Sequence, residues 1–241
     1  MPRFGYGRSL VQGRIISATI ASTPIDLLTG LLAYWKLNTN SWLDSSGNGN
    51  TLSVANGPSS NITIESGKIT NASRFNYNGT YLRKTDFSLP NSWTISFWLK
   101  IITDNSIGEF PSIYVSGTNS GTVVALVEFD SNQKSGGWLY SSNPANNYGQ
   151  FYAWSYGSWY HICITQDSSG LNWYINNSLY ITDGGEGSAR SGVGLEIGAN
   201  SAGDDAQGDY SICEYGAWSR ALTGAEITSL YNAGAGKTYP F

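Results

Sequence analysis

The feature that most constrains this chain is its punctuation. Short runs rich in Val, Ile, Thr, Tyr, Phe and Trp recur along most of its length, separated by Gly/Asn/Ser turns. The runs include Ser73–Tyr77, Tyr81–Lys84, Trp93–Ile101, Ser112–Val115, Val123–Phe129, Gly137–Tyr140, Gln150–Trp154, Trp159–Gln166, Leu171–Ile175, Leu179–Asp183, Gly194–Ala199 and Ser211–Trp218. Asn78-Gly79, Ser135-Gly136-Gly137 and Ser169-Gly170 mark turns between them. β-branched and aromatic side chains suit a pleated, half-buried surface, while Gly and Asn tolerate the positive φ of tight reversals. Strands this short and this regularly spaced predict an all-β fold, a two-sheet antiparallel sandwich.

One short C-terminal helix interrupts the pattern. Thr223-Gly224-Ala225-Glu226 reads as a capping box, in which the Thr hydroxyl accepts from the N3 amide and the Glu reaches back. Ile227, Leu230 and Tyr231 then share a face, and Gly234 and Gly236 are expected to end the helix.

With 241 residues the chain suits one large sandwich as well as two small domains. The body is read as 31–241, opening on the alternating Leu32-Ala33-Tyr34-Trp35, and residues 1–30 as an N-terminal arm. Arg3, Arg8 and Arg14 lie in that arm with no acid before Asp26. The bias predicts an assembly arm that docks on other structural proteins, in a homo- or hetero-oligomer; the plainer alternative is an extended arm with solubilising charges.

Elsewhere the net charge of −4 and the lack of a basic face argue against nucleic acid as a partner. No apolar stretch reaches membrane-span length, and Ile15–Ala21 is too short and too Ser/Thr-interrupted for a signal-peptide core. The two cysteines, Cys163 and Cys213, lie in apolar runs and read as buried thiols, with pairing across strands left open.

Several segments together resemble the laminin-G-like jelly-roll family of the concanavalin-A-like lectin/glucanase superfamily. They are Leu32-Ala33-Tyr34-Trp35 with Asp44-Ser45-Ser46-Gly47-Asn48-Gly49-Asn50, Trp93–Lys100, Trp159-Tyr160-His161, Leu171–Asn177, and Glu214–Thr223 with Glu226-Ile227. Their order and spacing cover roughly residues 31–235 and imply a jelly-roll sandwich whose default role is surface binding. Phage decoration and fibre proteins often carry such a domain. The expected function is therefore a non-catalytic structural protein displaying a lectin-like domain on a virion or other extracellular surface, with cell-surface glycan as a ligand. A free secreted carbohydrate-binding module is the alternative, and a glucanase-like hydrolase a third.

The residues separate these readings only in part. His161 is the sole histidine and sits mid-strand, so it reads as structural. Glu128-Phe129-Asp130 begins like the paired carboxylates of a glycosidase, but Gln133 stands where a third acid is expected, so no catalytic residue is assigned. The Asp44–Asn50 turn brings one carboxylate and two amides onto a Gly-rich path, suited either to Ca²⁺ or to Asx hydrogen bonds. Rim calcium sites are common in the family, and the resemblance implies Asp44, Asn48 and Glu214 as ligands. Cys213 occupies the position where a second acid often precedes Glu214. Asp204-Asp205 with Asp209 form a second acidic stretch. For glycan contact, Trp138, Tyr152 and Trp154 stand out in an Asn-rich segment, because exposed rings stack on sugar faces. Trp35, Trp93, Trp98, Trp159 and Trp218 are expected in the core.

Overall fold

The computed structural model describes residues 25–76, 79–103, 108–109, 113–115, 123–129, 137–143, 146–183, 194–198 and 209–241, with the backbone alone for 108–151 and 183. In chain order the strands are β1 (Leu31–Trp35), β2 (Ser53–Ala55), β3 (Thr63–Ser66), β4 (Asn71–Asn76), β5 (Tyr81–Thr85), β6 (Trp93–Thr103), β7 (Gly108–Glu109) and β8 (Ile113–Val115). They continue with β9 (Val123–Phe129), β10 (Gly137–Asn143), β11 (Asn146–Tyr152), β12 (Trp159–Asp167), β13 (Gly170–Ile175), β14 (Ser178–Asp183), β15 (Gly194–Ile197) and β16 (Asp209–Trp218). One sheet runs β14-β13-β12-β6-β16-β4-β3, with β1 also on β16; the other runs β11-β10-β9-β8-β15-β5-β2, with β7 on β9. All pairings are antiparallel, the jelly-roll sandwich expected.

Alternation explains the layering. In β6, Trp93, Ile95, Phe97, Leu99 and Ile101 enter the core between the sheets, so the intervening Thr94, Ser96, Trp98 and Lys100 face outward. β12 repeats the rule, with Tyr160, Ile162 and Ile164 inward. Trp35 and Trp93 lie in this inter-sheet core, and Trp35 meets Tyr215 and Phe87 with both centroids at 5.7 Å. Each such buried aromatic contributes roughly 1.5–3 kcal/mol of hydrophobic stabilisation.

A second apolar layer covers the outer face of the first sheet. Helix α1 (Gly224–Tyr231) places Ile227 and Leu230 against Tyr34, Cys163 and Trp218, and Tyr231 stacks on Trp98 at 6.0 Å. Trp98 and Trp218 are therefore buried in this outer layer, and Trp159 is half-buried beneath Lys100. Both arms of the capping box form: Thr223 Oγ1 accepts from Glu226 N at 3.3 Å, and Glu226 Oε2 accepts from Thr223 N at 2.8 Å. The helix stops at Asn232, left-handed at φ 48°, two residues before the glycine expected to end it. Leu27 is buried in the same layer, and its carbonyl accepts from Trp218 Nε1 at 2.8 Å. Leu27, in the segment before Leu31, is thus packed onto the outer face of the first sheet.

The central strand β16 holds both layers through a bulge. Cys213 pairs with Trp98 but Gly216 with Ser96, so β16 spends one residue more than β6. Before the bulge Tyr210 and Ile212 face the core, and after it Tyr215 and Ala217 do. Glu214 takes up the extra residue at φ 54°, and its N–H donates to Lys36 O at 3.1 Å. Cys163 and Cys213 flank β6 from opposite sides, opposite Ser96 and Trp98. Two strand spacings across and two residues along β6, about 12 Å in all, separate them, and both thiols are free and buried.

Past the bulge, the backbone at Gly216 lies flush with the outer layer. A Cβ there would lie 2.5 Å from Trp218 Cη2 and 3.0 Å from Tyr34 Cδ2. Gly216→Ala is expected to destabilise the fold by about 1–3 kcal/mol in urea titrations; unchanged stability would contradict this packing.

Candidate functional site

The sandwich has one lateral side where the edge strands β11 and β14 of the two sheets both end. Aromatic rings from both sheets meet there. Tyr152 closes β11, Tyr180 lies in β14, Tyr160 in β12, and Trp154 in the turn between β11 and β12. Tyr152 lies 4.4 Å from Trp154 and 5.1 Å from Tyr180, centroid to centroid, the latter edge-on. Trp154 and Tyr160 are perpendicular at 4.9 Å. Such edge-to-face contacts add to area burial and fix ring orientation. The Tyr160 hydroxyl also accepts from Ser155 N at 2.8 Å, which pins the turn.

Exposure within this cluster is graded. Trp154 is only 4% exposed and belongs to the inter-sheet core, so it offers no ring face to a ligand, against the expectation from its loop-rich surroundings. Residues 153–155 fold the indole inward between Tyr152 and Tyr160. Tyr152 and Tyr180 are half-buried, and Tyr156 and Leu179 are exposed. Burial, and then the neighbouring Tyr160 and Tyr180, raise the Tyr152 phenol above its ordinary range. It stays a neutral O–H able to donate and accept. Tyr152 is legible in the sequence but Tyr160, Tyr180 and Tyr156 are not, because the approach of β14 to β11 leaves no local signal. Trp138 pairs through its backbone with Phe151 and Glu128; its side chain lies outside the described residues, as do Arg3, Arg8, Arg14, Asp130, Asp204 and Asp205.

The Asp44 turn has a different task. Asp44 Oδ1 accepts from Tyr34 N at 3.0 Å, Ser46 N at 2.9 Å and Ser46 Oγ at 2.6 Å, and Oδ2 accepts from Asn50 N at 2.9 Å. Asn48 Nδ2 donates to Leu31 O at 2.9 Å, and Asn50 Nδ2 donates to Leu32 O at 2.8 Å. These groups satisfy the free edge of β1 as a neighbouring strand would. Glu214 lies elsewhere: its Oε2 accepts from the Tyr34 hydroxyl at 2.7 Å, at the opposite end of Tyr34 from Asp44. Asp44 and Glu214 are thus not gathered into one site. Among the described residues, no group of three or more His, Cys, Asp or Glu is placed to hold a metal ion.

Most other buried or half-buried acids in the described residues are ion-paired. Arg74 grips Asp209 at 2.7 Å and approaches Glu65 at 3.4 Å, Lys100 meets Glu65 at 2.6 Å, Arg83 pairs with Glu196, and Arg220 with Glu226 at 2.6 Å. A glycosidase needs two carboxylates facing the scissile bond; these are committed to bases. The Glu128 side chain lies outside the described residues. His161 is buried, with Nε2 2.8 Å from Ser96 Oγ. Burial lowers its pKa to about 3, so the ring is neutral through the physiological range.

Replacing Asp44 tests its structural role. Asp44→Ala leaves three backbone amides without their acceptor and is expected to cost about 2–3 kcal/mol in chemical denaturation. A loss below about 0.5 kcal/mol would contradict the edge-capping account.

Comparison with known proteins places this geometry. The domain 4 of AbnA, a GH43 extracellular arabinanase from Geobacillus stearothermophilus solved with arabinotriose, superposes with a TM-score of 0.60 at 19% identity, covering 86% of this chain and 98% of that one. The botulinum neurotoxin serotype D binding domain gives 0.60 at 19% identity, covering 85% and 51%. Trypanosoma rangeli sialidase with sialic acid gives 0.62 at 15% identity, covering 86% and 34%. This chain thus spans about half of the neurotoxin domain and a third of the sialidase, and at these identities the likeness is one of fold. A search of curated protein sequences found no match. The laminin-G family model matches residues 73–228, more than half of the chain, and the protein is a member of the concanavalin A-like lectin/glucanases superfamily.

Proposed function

We propose that this chain is a non-catalytic binding domain that takes glycans at the Tyr152–Tyr180 aromatic edge and is displayed on a larger assembly. The observation that carries the reading is the pair of half-buried rings, edge-on at 5.1 Å, with the buried Trp154 packed beside Tyr152 at 4.4 Å. Rings held in place by packing stack on sugar faces without being ordered at the moment of binding. The solved AbnA domain, bound to arabinotriose, lends the reading support from a lectin-like neighbour.

Display on a virion or other extracellular surface rests on the basic segment with Arg3, Arg8 and Arg14, which would engage neighbouring structural proteins. In the alternative reading the same domain is a free secreted carbohydrate-binding module. Loss of assembly when Arg3, Arg8 and Arg14 are replaced by Ala would favour the first, and intact monomeric binding the second.

Glycan-array screening followed by titration tests the site. Tyr152→Ala is expected to weaken binding of the best glycan by about tenfold or more, because a lost ring–sugar contact removes about 1.4 kcal/mol. Binding that survives unchanged, or an array without any hit, would overturn the assignment.

The calcium reading has its own test. Because Asp44 already accepts from Tyr34, Ser46 and Asn50, glycan affinity is expected to be the same with Ca²⁺ and with a chelator. A chelator-sensitive affinity that Asp44→Asn abolishes would instead assign a rim cation to this turn.

A further inference from the structure

The strands that build the aromatic edge carry almost no charge. Charged residues make up 12% of the chain, yet between Ser135 and Thr182 the only formal charge is Asp167, His161 being buried and neutral. That stretch holds β10 to β13, most of β14 and the turn with Trp154. The next charge on β14 is Asp183, again an acid. Asp167 ends β12, about 23 Å along the strand from Tyr160. Its carboxylate accepts from Ser169 N at 2.7 Å, and salt screens it from the Tyr160 and Trp154 rings at that separation.

β11, β12, β13 and β14 contain neither lysine nor arginine. On the neighbouring strand β6, Lys100 lies opposite Trp159 and faces the outer layer, where it meets Glu65 at 2.6 Å. Tyr160, one residue on from Trp159, turns inward instead. What the edge offers is rings and hydroxyls. Ser155, Tyr156, Gly157 and Ser158 form its exposed turn. Tyr180 reaches the edge through a bulge: Trp173 pairs with Ile181 but Tyr174 with Leu179, so Tyr180 is the extra residue. Tyr180 and Ile181 therefore both pack against the inter-sheet core, while Leu179 is left 55% exposed. The re-aimed Tyr180 ring is the one that meets Tyr152 edge-on.

Such a surface treats neutral and anionic sugars differently. The hydroxyls of an uncharged sugar exchange water for protein hydroxyls at little net cost. A carboxylate or sulfate brought to the same place gives up hydration with no cation to replace it. We propose that the aromatic edge selects uncharged oligosaccharides and excludes anionic ones, a selectivity that rests on the glycan-binding reading above. Packing of the rings supplies the platform, and the uncharged composition of β11 to β14 supplies the exclusion.

The test uses the full chain and an array that carries neutral, uronate, sialylated and sulfated glycans. The hits are expected to be neutral. The tightest is then titrated by calorimetry beside the same oligosaccharide bearing one sulfate ester, placed at a hydroxyl whose O-methylation is tolerated. The sulfated form is expected to bind about tenfold or more weakly. Affinity for the neutral form is expected to be the same at about 20 mM and about 500 mM salt, since no charge pair forms. An anionic glycan that binds as tightly as the best neutral one, and is lost in Tyr152→Ala, overturns the selectivity while leaving the edge as the glycan site. Neutral binding that Tyr152→Ala leaves intact, or an array without any hit, overturns the glycan reading and the selectivity with it.

Discussion

The structure depends on the pairing of β16. It bonds to β6 along one side, and to β4 and then β1 along the other. A strand in that position faces two apolar layers, and simple alternation would send Glu214 and Gly216 into the core while turning Tyr215 and Ala217 out. The extra residue at Glu214 resets the alternation. Tyr215 can then stack on Phe97 at 5.3 Å in the inter-sheet core, and Trp218 can pack outward against the C-terminal layer. A one-residue deletion there would exchange the two faces of the following segment.

Much of this was legible in residue patterns. Trp93–Thr103 and Trp159–Asp167 alternate clearly and emerge at nearly the expected bounds. The capping box at Thr223 announces its helix because both partners lie within four residues. Three strands gave no such signal. β2, β3 and β7 are short and carry Ser, Thr, Glu or Gly, and they are strands because β5, β4 and β9 offer them an edge. The bulge was hidden too, since only the registers on either side of Glu214 reveal it.

The candidate site was legible to a smaller extent. Composition points to aromatics near Tyr152, but which rings are exposed is a tertiary matter. Trp154 is claimed by the core, while Tyr180 reaches the same edge from a strand nearly thirty residues further along the sequence. The Asp44 turn shows the same limit: its oxygens suit a cation and a backbone edge equally well by type, and the free side of β1 is what engages them. The ion pairs across the outer faces likewise bind acids that sequence alone leaves available for chemistry.

The proposed binding role requires that the lectin-like sandwich present its ligand surface at the lateral aromatic edge. A crystal structure of the full chain with its best-binding oligosaccharide tests this most directly. Sugar density is expected with a ring face against Tyr152 or Tyr180. Ordered sugar bound elsewhere on the molecule, with those rings free of it, would contradict the claim.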